Sequence, residues 1–155
     1  MIELVYGSAA IEDSIFVADF ENCRFPIDQF RHADHIRLAW IYIRLHEYEV
    51  AEARMRQSIQ GFAHNLGAEQ KYHETITMVW MRLVNIAVQL SSRMDKFVNF
   101  AHAHAWLLDK EAIFEFYSRD LLLSDTARKS WVDPNLKPIP ALSSRVHQTI
   151  QLTVC

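Results

Sequence analysis

Glycine, proline and cysteine are scarce in this chain of 155 residues, which contains three glycines, four prolines and two cysteines. Glycine and proline interrupt helices and mark turns, so long stretches without them favour helices over many short strands. Three of the prolines, Pro134, Pro138 and Pro140, fall in one late stretch. The scarcity of these breakers therefore predicts an all-α fold.

The two cysteines, Cys23 and Cys155, match neither a disulfide framework nor a CxxC motif. The sequence also lacks a basic N-terminal segment followed by an apolar run and a small-residue cleavage site. Its apolar runs, such as "LAWIYI", are too short to span a bilayer. We therefore expect a cytoplasmic protein in a reducing compartment, without a membrane partner.

Positive charge is not in excess either, because the formal net charge is −3 and charged residues make up 23% of the chain. No cluster of lysine and arginine with interleaved aromatic residues is present, so we do not expect nucleic-acid binding. The length is that of one domain, and the sequence contains no internal repeat or linker. Residues 1–155 are therefore interpreted as a single helical domain.

Hydrophobic periodicity predicts a bundle of about five main helices. The first is placed at residues 10–22, and the second starts between residues 28 and 33 and ends at residue 46. The third, fourth and fifth are placed at residues 49–66, 72–91 and 95–108. Residues 1–9 are interpreted as a loose or extended lead-in. Shorter C-terminal helices follow, one of them N-capped by Ser124, and then a proline-rich strap at "VDPNLKPIP". Residues 141–155 are interpreted as a C-terminal addition.

Three histidines begin the apolar faces of two predicted helices. His32 and His35 begin that of the second helix, and His73 begins that of the fourth. Short connections make successive helices antiparallel, so the second and fourth helices run parallel and their N-terminal ends lie together. We therefore expect the three imidazoles to converge at one end of the bundle.

A metal site is the first functional hypothesis for this cluster. His32, His35 and His73 would be the ligands, with Glu74 or Asp34 completing the coordination or acting as a catalytic base. Three nitrogen ligands with an open position suit zinc, whereas two histidines and a carboxylate suit iron. The cofactor would be a divalent metal, and the chemistry would be metal-activated water or oxygen acting on a small substrate.

The other expected site residues line a pocket beside the histidines. Trp40 and Trp80 lie about two helical turns further into the bundle, where they could form walls for a flat apolar ligand. Thr77 is either a polar contact in this pocket or a hydroxyl bonded to the carbonyl of His73.

Each feature also has a structural interpretation. A single buried histidine usually bonds to a carbonyl or hydroxyl group, and Asp34 and Glu74 are well placed to favour a helix N-terminus. The alternative function is then a non-catalytic ligand-binding or protein-interaction module with structural histidines. A homodimer through an aromatic helix face fits either hypothesis, and a third is metal-free acid–base catalysis by a His–Glu pair. His104 faces inward but is expected at mid-bundle, so it stays a reserve candidate.

Three blocks of the chain, "FRHADHIRLAW", "KYHETITMVW" and "FYSRDLLLSDTARKSWVDPNLKPIP", cover about a third of its length. In this order they resemble a group of short, uncharacterised bacterial all-helical proteins. The resemblance implies a single compact domain ending near Pro140. It implies no activity and no catalytic residues.

Overall fold

The computed structural model describes the backbone of residues 2–141 and the side chains of residues 12–141. It confirms an all-α bundle, because this part of the chain contains helices and no strand. The α-helices are α1 (Ile2–Glu21), α2 (His32–Leu45), α3 (Tyr48–Asn65), α4 (Glu74–Leu90), α5 (Phe97–Ala103), α6 (Arg119–Leu122) and α7 (Asp125–Lys129). Short 3-10 helices lie at Ile27–Gln29, Glu69–Lys71, Ala105–Leu108 and Lys110–Glu115.

Both ends of the chain bear on the predicted boundaries. Helix α1 begins at Ile2 and runs through Gly7, so residues 2–9 are helical and are not the loose or extended lead-in that we expected. A glycine inside a helix costs about 1 kcal/mol relative to alanine, but this cost does not end α1 at Gly7. The predicted C-terminal addition, residues 141–155, lies outside the described residues except for Ala141.

Helix α4 forms the centre of the core. It contacts both α2 and α3, and α2 contacts α3 as well. Eleven of its seventeen residues are buried, whereas Arg82 and Gln89 are exposed. Gly67 follows α3 with a φ of 65°, a left-handed conformation that ends a helix at little cost only for glycine.

The predicted fifth helix is broken near its middle. Helix α5 ends at Ala103, and His104 has φ −128° and ψ 50°, outside the helical region. The chain continues as a 3-10 turn over Ala105–Leu108. The His104 ring bonds to Ser91 just after α4, a tertiary contact that helical periodicity does not reveal.

The proline-rich strap, residues 132–140, contains no helix and is bonded to α4 through Thr75. The buried hydroxyl of Thr75 donates to the carbonyl of Ser130 at 2.9 Å and accepts from the Val132 N–H at 3.2 Å. Tyr117 OH donates to the Val132 carbonyl at 2.7 Å. These bonds fix the start of the strap against the N-terminal end of α4.

No helix among the described residues combines the length and the hydrophobicity that crossing a bilayer would require.

Candidate functional site

His32, the first residue of α2, is bonded to the C-terminal part of the chain. Its Nε2 lies 2.8 Å from the carbonyl oxygen of Leu107, to which a neutral ring donates. The same ring packs edge-on against Trp80, with 4.5 Å between ring centroids. Burial lowers the pKa of His32, which favours the neutral form. The imidazole therefore joins α2 to both α4 and the turn at Ala105–Leu108.

His73 is the N-cap of α4, and both of its ring nitrogens are engaged. Nδ1 accepts a hydrogen bond from the Ile76 N–H at 3.1 Å, and Nε2 donates to the carbonyl of Leu122 at 2.8 Å. Burial lowers the pKa of the ring, and the charge of Arg128 lowers it further. This bonding requires the neutral tautomer with its proton on Nε2, so neither nitrogen has a lone pair open to a metal ion.

His35 differs from the other two histidines because its Nε2 is enclosed and has no partner within the described residues. Other atoms of the residue reach the surface, and its ring lies 6.3 Å from that of Phe30. Burial lowers the pKa of His35 to about 4, with a further contribution from His32. The ring is therefore neutral at pH 7.

The three histidines differ in their bonding, because two have backbone partners and one has a nitrogen without a partner among the described residues. His32 and His73 bond to different carbonyls, and no three His, Cys, Asp or Glu side chains in the described part of the chain are grouped as a metal ion requires. Our expectation considered only helices two to four. In the structure, the segments that contain Leu107 and Leu122 lie against the N-terminal ends of α2 and α4 and bond to the rings.

The two carboxylates proposed as catalytic bases make structural contacts. Asp34 accepts from the backbone N–H of Arg31, the N-cap residue of α2, at 2.9 Å. Glu74 accepts three hydrogen bonds from Arg56, at 2.7, 2.9 and 3.2 Å, and one from Tyr72 OH at 2.5 Å. Burial alone would raise the pKa of Glu74, but the bonds from Arg56 and Tyr72 lower it overall. Glu74 is thus an ionised partner of α3.

The predicted pocket residues lie in different surroundings. Thr77 donates to the carbonyl of His73 at 2.8 Å, which is the structural alternative given for it. Trp80 is buried against His32. Trp40 packs against α5 and lines a cleft in which Trp80 takes no part.

The cleft beside Trp40 has a volume of about 540 Å³ and lies between α2, the end of α4 and α5. Its apolar wall consists of Trp40, Ile43, Val88, Met94 and Phe100. Trp40 and Phe100 belong to the buried core, whereas the other three are partly exposed. We refer to it below as the Trp40 cleft.

The polar side of the Trp40 cleft includes Arg44 and Arg93. The guanidinium carbon of Arg44 lies 4.4 Å from the centroid of the Trp40 ring. Arg44 Nη2 lies 3.4 Å from Asp95 Oδ1, and Arg93 Nε lies 3.3 Å from the same oxygen. Sequence reasoning missed this group, because no local motif joins Arg44 to Arg93.

Ser91 and His104 form a hydrogen-bonded pair at the end of α4. Ser91 Oγ lies 2.5 Å from His104 Nε2 and also bonds to the carbonyl of Ala87. Because a hydroxyl has one proton and Ala87 can only accept, Ser91 donates to Ala87 and His104 donates to Ser91. In this arrangement His104 is not a base for Ser91, and the pair fastens α5 to α4.

Comparison with protein-family models, curated proteins and solved structures found no match for this chain.

Proposed function

We propose that this chain is a non-catalytic, cytoplasmic small-molecule-binding module whose site is the Trp40 cleft. The observation that carries the proposal is the cleft itself, which places an indole of the core beside partly exposed apolar side chains and two arginines. Its volume of about 540 Å³ falls in the range of ligand sites, about 300 to 1,000 Å³. Half of its lining residues are apolar and half are polar, so it offers a ligand both apolar contact and hydrogen-bonding groups.

The bonding of the histidines supports a structural role for them in this proposal. His73 uses both ring nitrogens, and His32 donates to a backbone carbonyl. The lowered pKa of each ring has burial as its main cause, which is expected for a neutral core histidine. Glu74 and Asp34 likewise have partners that account for their positions.

The test is binding of a neutral aromatic probe, hydrocinnamyl alcohol, followed through the indole N–H resonances of the tryptophans. We expect the Trp40 resonance to move in a saturable way while the Trp80 resonance stays in place. Ser92→Phe should weaken binding because Ser92 lines the Trp40 cleft and a phenyl group would fill part of it. Leu123→Phe is the matched control, because Leu123 is 63% exposed and does not line this cleft. A Trp40 resonance that does not respond would refute the proposal.

A metal site based on His32 and His35 is the second candidate, and the unpartnered Nε2 of His35 favours it. Elemental analysis of the untagged protein, beside folded His35→Leu and His73→Ala variants, tests it. Structural histidines predict no stoichiometric zinc or iron in any sample. Near-stoichiometric metal that is lost in His35→Leu would support a metal site instead.

A further inference from the structure

We propose that the ligand of the Trp40 cleft is a monoanion, a carboxylate with an aromatic or branched apolar body, bound by Arg44 and Arg93. Asp95 would compete with the carboxylate for these two guanidinium groups. This inference rests on the proposed function, because it names the class of molecule that the same cleft would take.

The charges around the cleft are unbalanced. Two guanidinium groups, of Arg44 and Arg93, share one oxygen of Asp95, at 3.4 and 3.3 Å. The residues that line the Trp40 cleft include these two arginines and no acidic residue. The group thus has a local charge of about +1 in a chain whose net charge is −3. One further carboxylate would balance it.

The contact made by Arg44 is also longer than those of comparable arginines. The side chains of Arg37 and Arg44 are 26% and 25% exposed, yet Arg37 lies 2.7 Å from Asp13 whereas Arg44 lies 3.4 Å from Asp95. Charge-assisted N–H···O bonds are usually about 2.7 to 2.9 Å long. A bound carboxylate about 2.7 to 2.9 Å from Arg44 would therefore make a stronger hydrogen bond to it than Asp95 does.

Trp40 holds Arg44 in a position suited to this role. A guanidinium group that stacks on an indole face keeps its N–H donors in its own plane, where they can bond to a planar carboxylate. Because the stacking at 4.4 Å already restricts Arg44, binding would order it less than it would order a free surface arginine. The apolar body of the ligand would lie against Ile43, Val88 and Met94.

A neighbouring cleft shows why the carboxylate should lie on the Trp40 side. This second cleft has a volume of about 800 Å³, shares Arg44 and Arg93 with the Trp40 cleft, and is lined by Asp95, which the Trp40 cleft is not. It is also lined by Asp13 and Glu21, so its acidic residues outnumber its basic ones. Because Arg37 pairs with Asp13, the charges around the second cleft balance, so an anion would be attracted less there than in the Trp40 cleft.

The test compares hydrocinnamate with hydrocinnamyl alcohol, two probes of similar shape of which only the first is charged. We expect the carboxylate to bind about tenfold more tightly, because hydrogen bonds to charged groups contribute more than neutral ones. The advantage should shrink as salt is added, since these charges are close to solvent. Binding is again followed through the Trp40 indole resonance.

Three variants separate the charge from the cleft. Arg44→Gln and Arg93→Gln should each remove most of the carboxylate's advantage over the alcohol. Asp95→Asn should raise the carboxylate's affinity because it removes the internal competitor. Arg119→Gln is the control, because Arg119 is exposed and pairs with Glu111. Arg93 is 86% exposed, so its substitution leaves the fold intact even if that of Arg44 does not.

The outcomes distinguish the two proposals. If the alcohol binds at Trp40 but the carboxylate binds no more tightly, the anion inference is overturned and the proposed function stands. The same holds if Arg93→Gln and Asp95→Asn leave the ratio of the two affinities unchanged. If neither probe moves the Trp40 resonance, both proposals fail.

Discussion

His73 offers a sharp test of the structural role assigned to the histidines, because its two ring nitrogens do different work. Nδ1 caps α4 by accepting from the Ile76 N–H, and Nε2 bonds α4 to the carbonyl of Leu122. Asparagine at this position keeps the cap, since its side-chain oxygen accepts the same N–H, but it is too short to reach Leu122. Alanine keeps neither contact.

The expected losses follow from these contacts. Leu122 is fully buried, so in either variant its carbonyl loses the hydrogen bond from His73 and has no ready access to water. An unpaired buried carbonyl costs about 1 to 3 kcal/mol of stability. Loss of an N-cap costs about 1 kcal/mol more. We therefore expect His73→Asn to lower the free energy of unfolding by about 2 kcal/mol and His73→Ala to lower it by about 3 kcal/mol. For a chain of this size, about 3 kcal/mol corresponds to a fall in Tm of about 6 to 12 °C.

Urea denaturation followed by far-ultraviolet circular dichroism measures both losses. His64→Ala is the matched control, because the His64 side chain is 79% exposed and pairs only with an exposed glutamate in the described structure. Its unfolding free energy should equal that of the wild type within error. The reasoning is refuted if asparagine proves as harmful as alanine, or if both variants are as stable as the control.

Three further predictions concern pH, the strap and a turn. Burial lowers the pKa of His35 from 6.5 to about 4, so the unfolded chain binds a proton at this residue more readily than the folded chain does. The free energy of unfolding should therefore fall by about 3 kcal/mol as the pH drops from 6.5 to 4. Urea denaturation at several pH values should show that His35→Leu lacks this part of the fall in unfolding free energy at acid pH. If the variant keeps the pH profile of the wild type, the lowered pKa of His35 is contradicted. Thr75→Val removes two hydrogen bonds, one to the Ser130 carbonyl and one from Val132 at the start of the strap. We therefore expect a loss of about 2 kcal/mol and faster proteolysis within residues 132–140. Gly67→Ala should destabilise the protein by about 1 kcal/mol, because Gly67 has a φ of 65°. Gly61→Ala, inside α3 with open space at the Cβ position, should stabilise it by about 1 kcal/mol. Equal effects of the two variants in thermal unfolding would contradict the left-handed conformation of Gly67.

Much of the fold could be predicted because it depends on local patterns. The 3.6-residue period located the inward face of α4, and Ser124 caps α7 as its position before a short helix indicated. Gly67 ends α3 because a left-handed residue suits that position. These features are determined within one or two turns of the chain, where sequence rules apply.

The partners of the candidate site residues could not be predicted in the same way. His32 and His73 bond to backbone carbonyls that lie 75 and 49 residues away, and every residue carries a carbonyl. No residue type therefore marks Leu107 or Leu122 as an acceptor. The charge group of Arg44 and Arg93 has the same origin, since it depends on how the end of α4 meets α2.

The long sequence separations of these bonds also bear on how the chain folds as it is synthesised. Helices α2, α3 and α4 are complete by Leu90, but the acceptors for His32, His73 and Thr75 follow only at residues 107, 122 and 130. Until those residues leave the ribosome, the three side chains have only water for these bonds, and that end of the growing bundle stays open. Closing such large loops takes place late, after the local helix contacts have formed. The nascent chain therefore reaches its closed form only when most of it has been made.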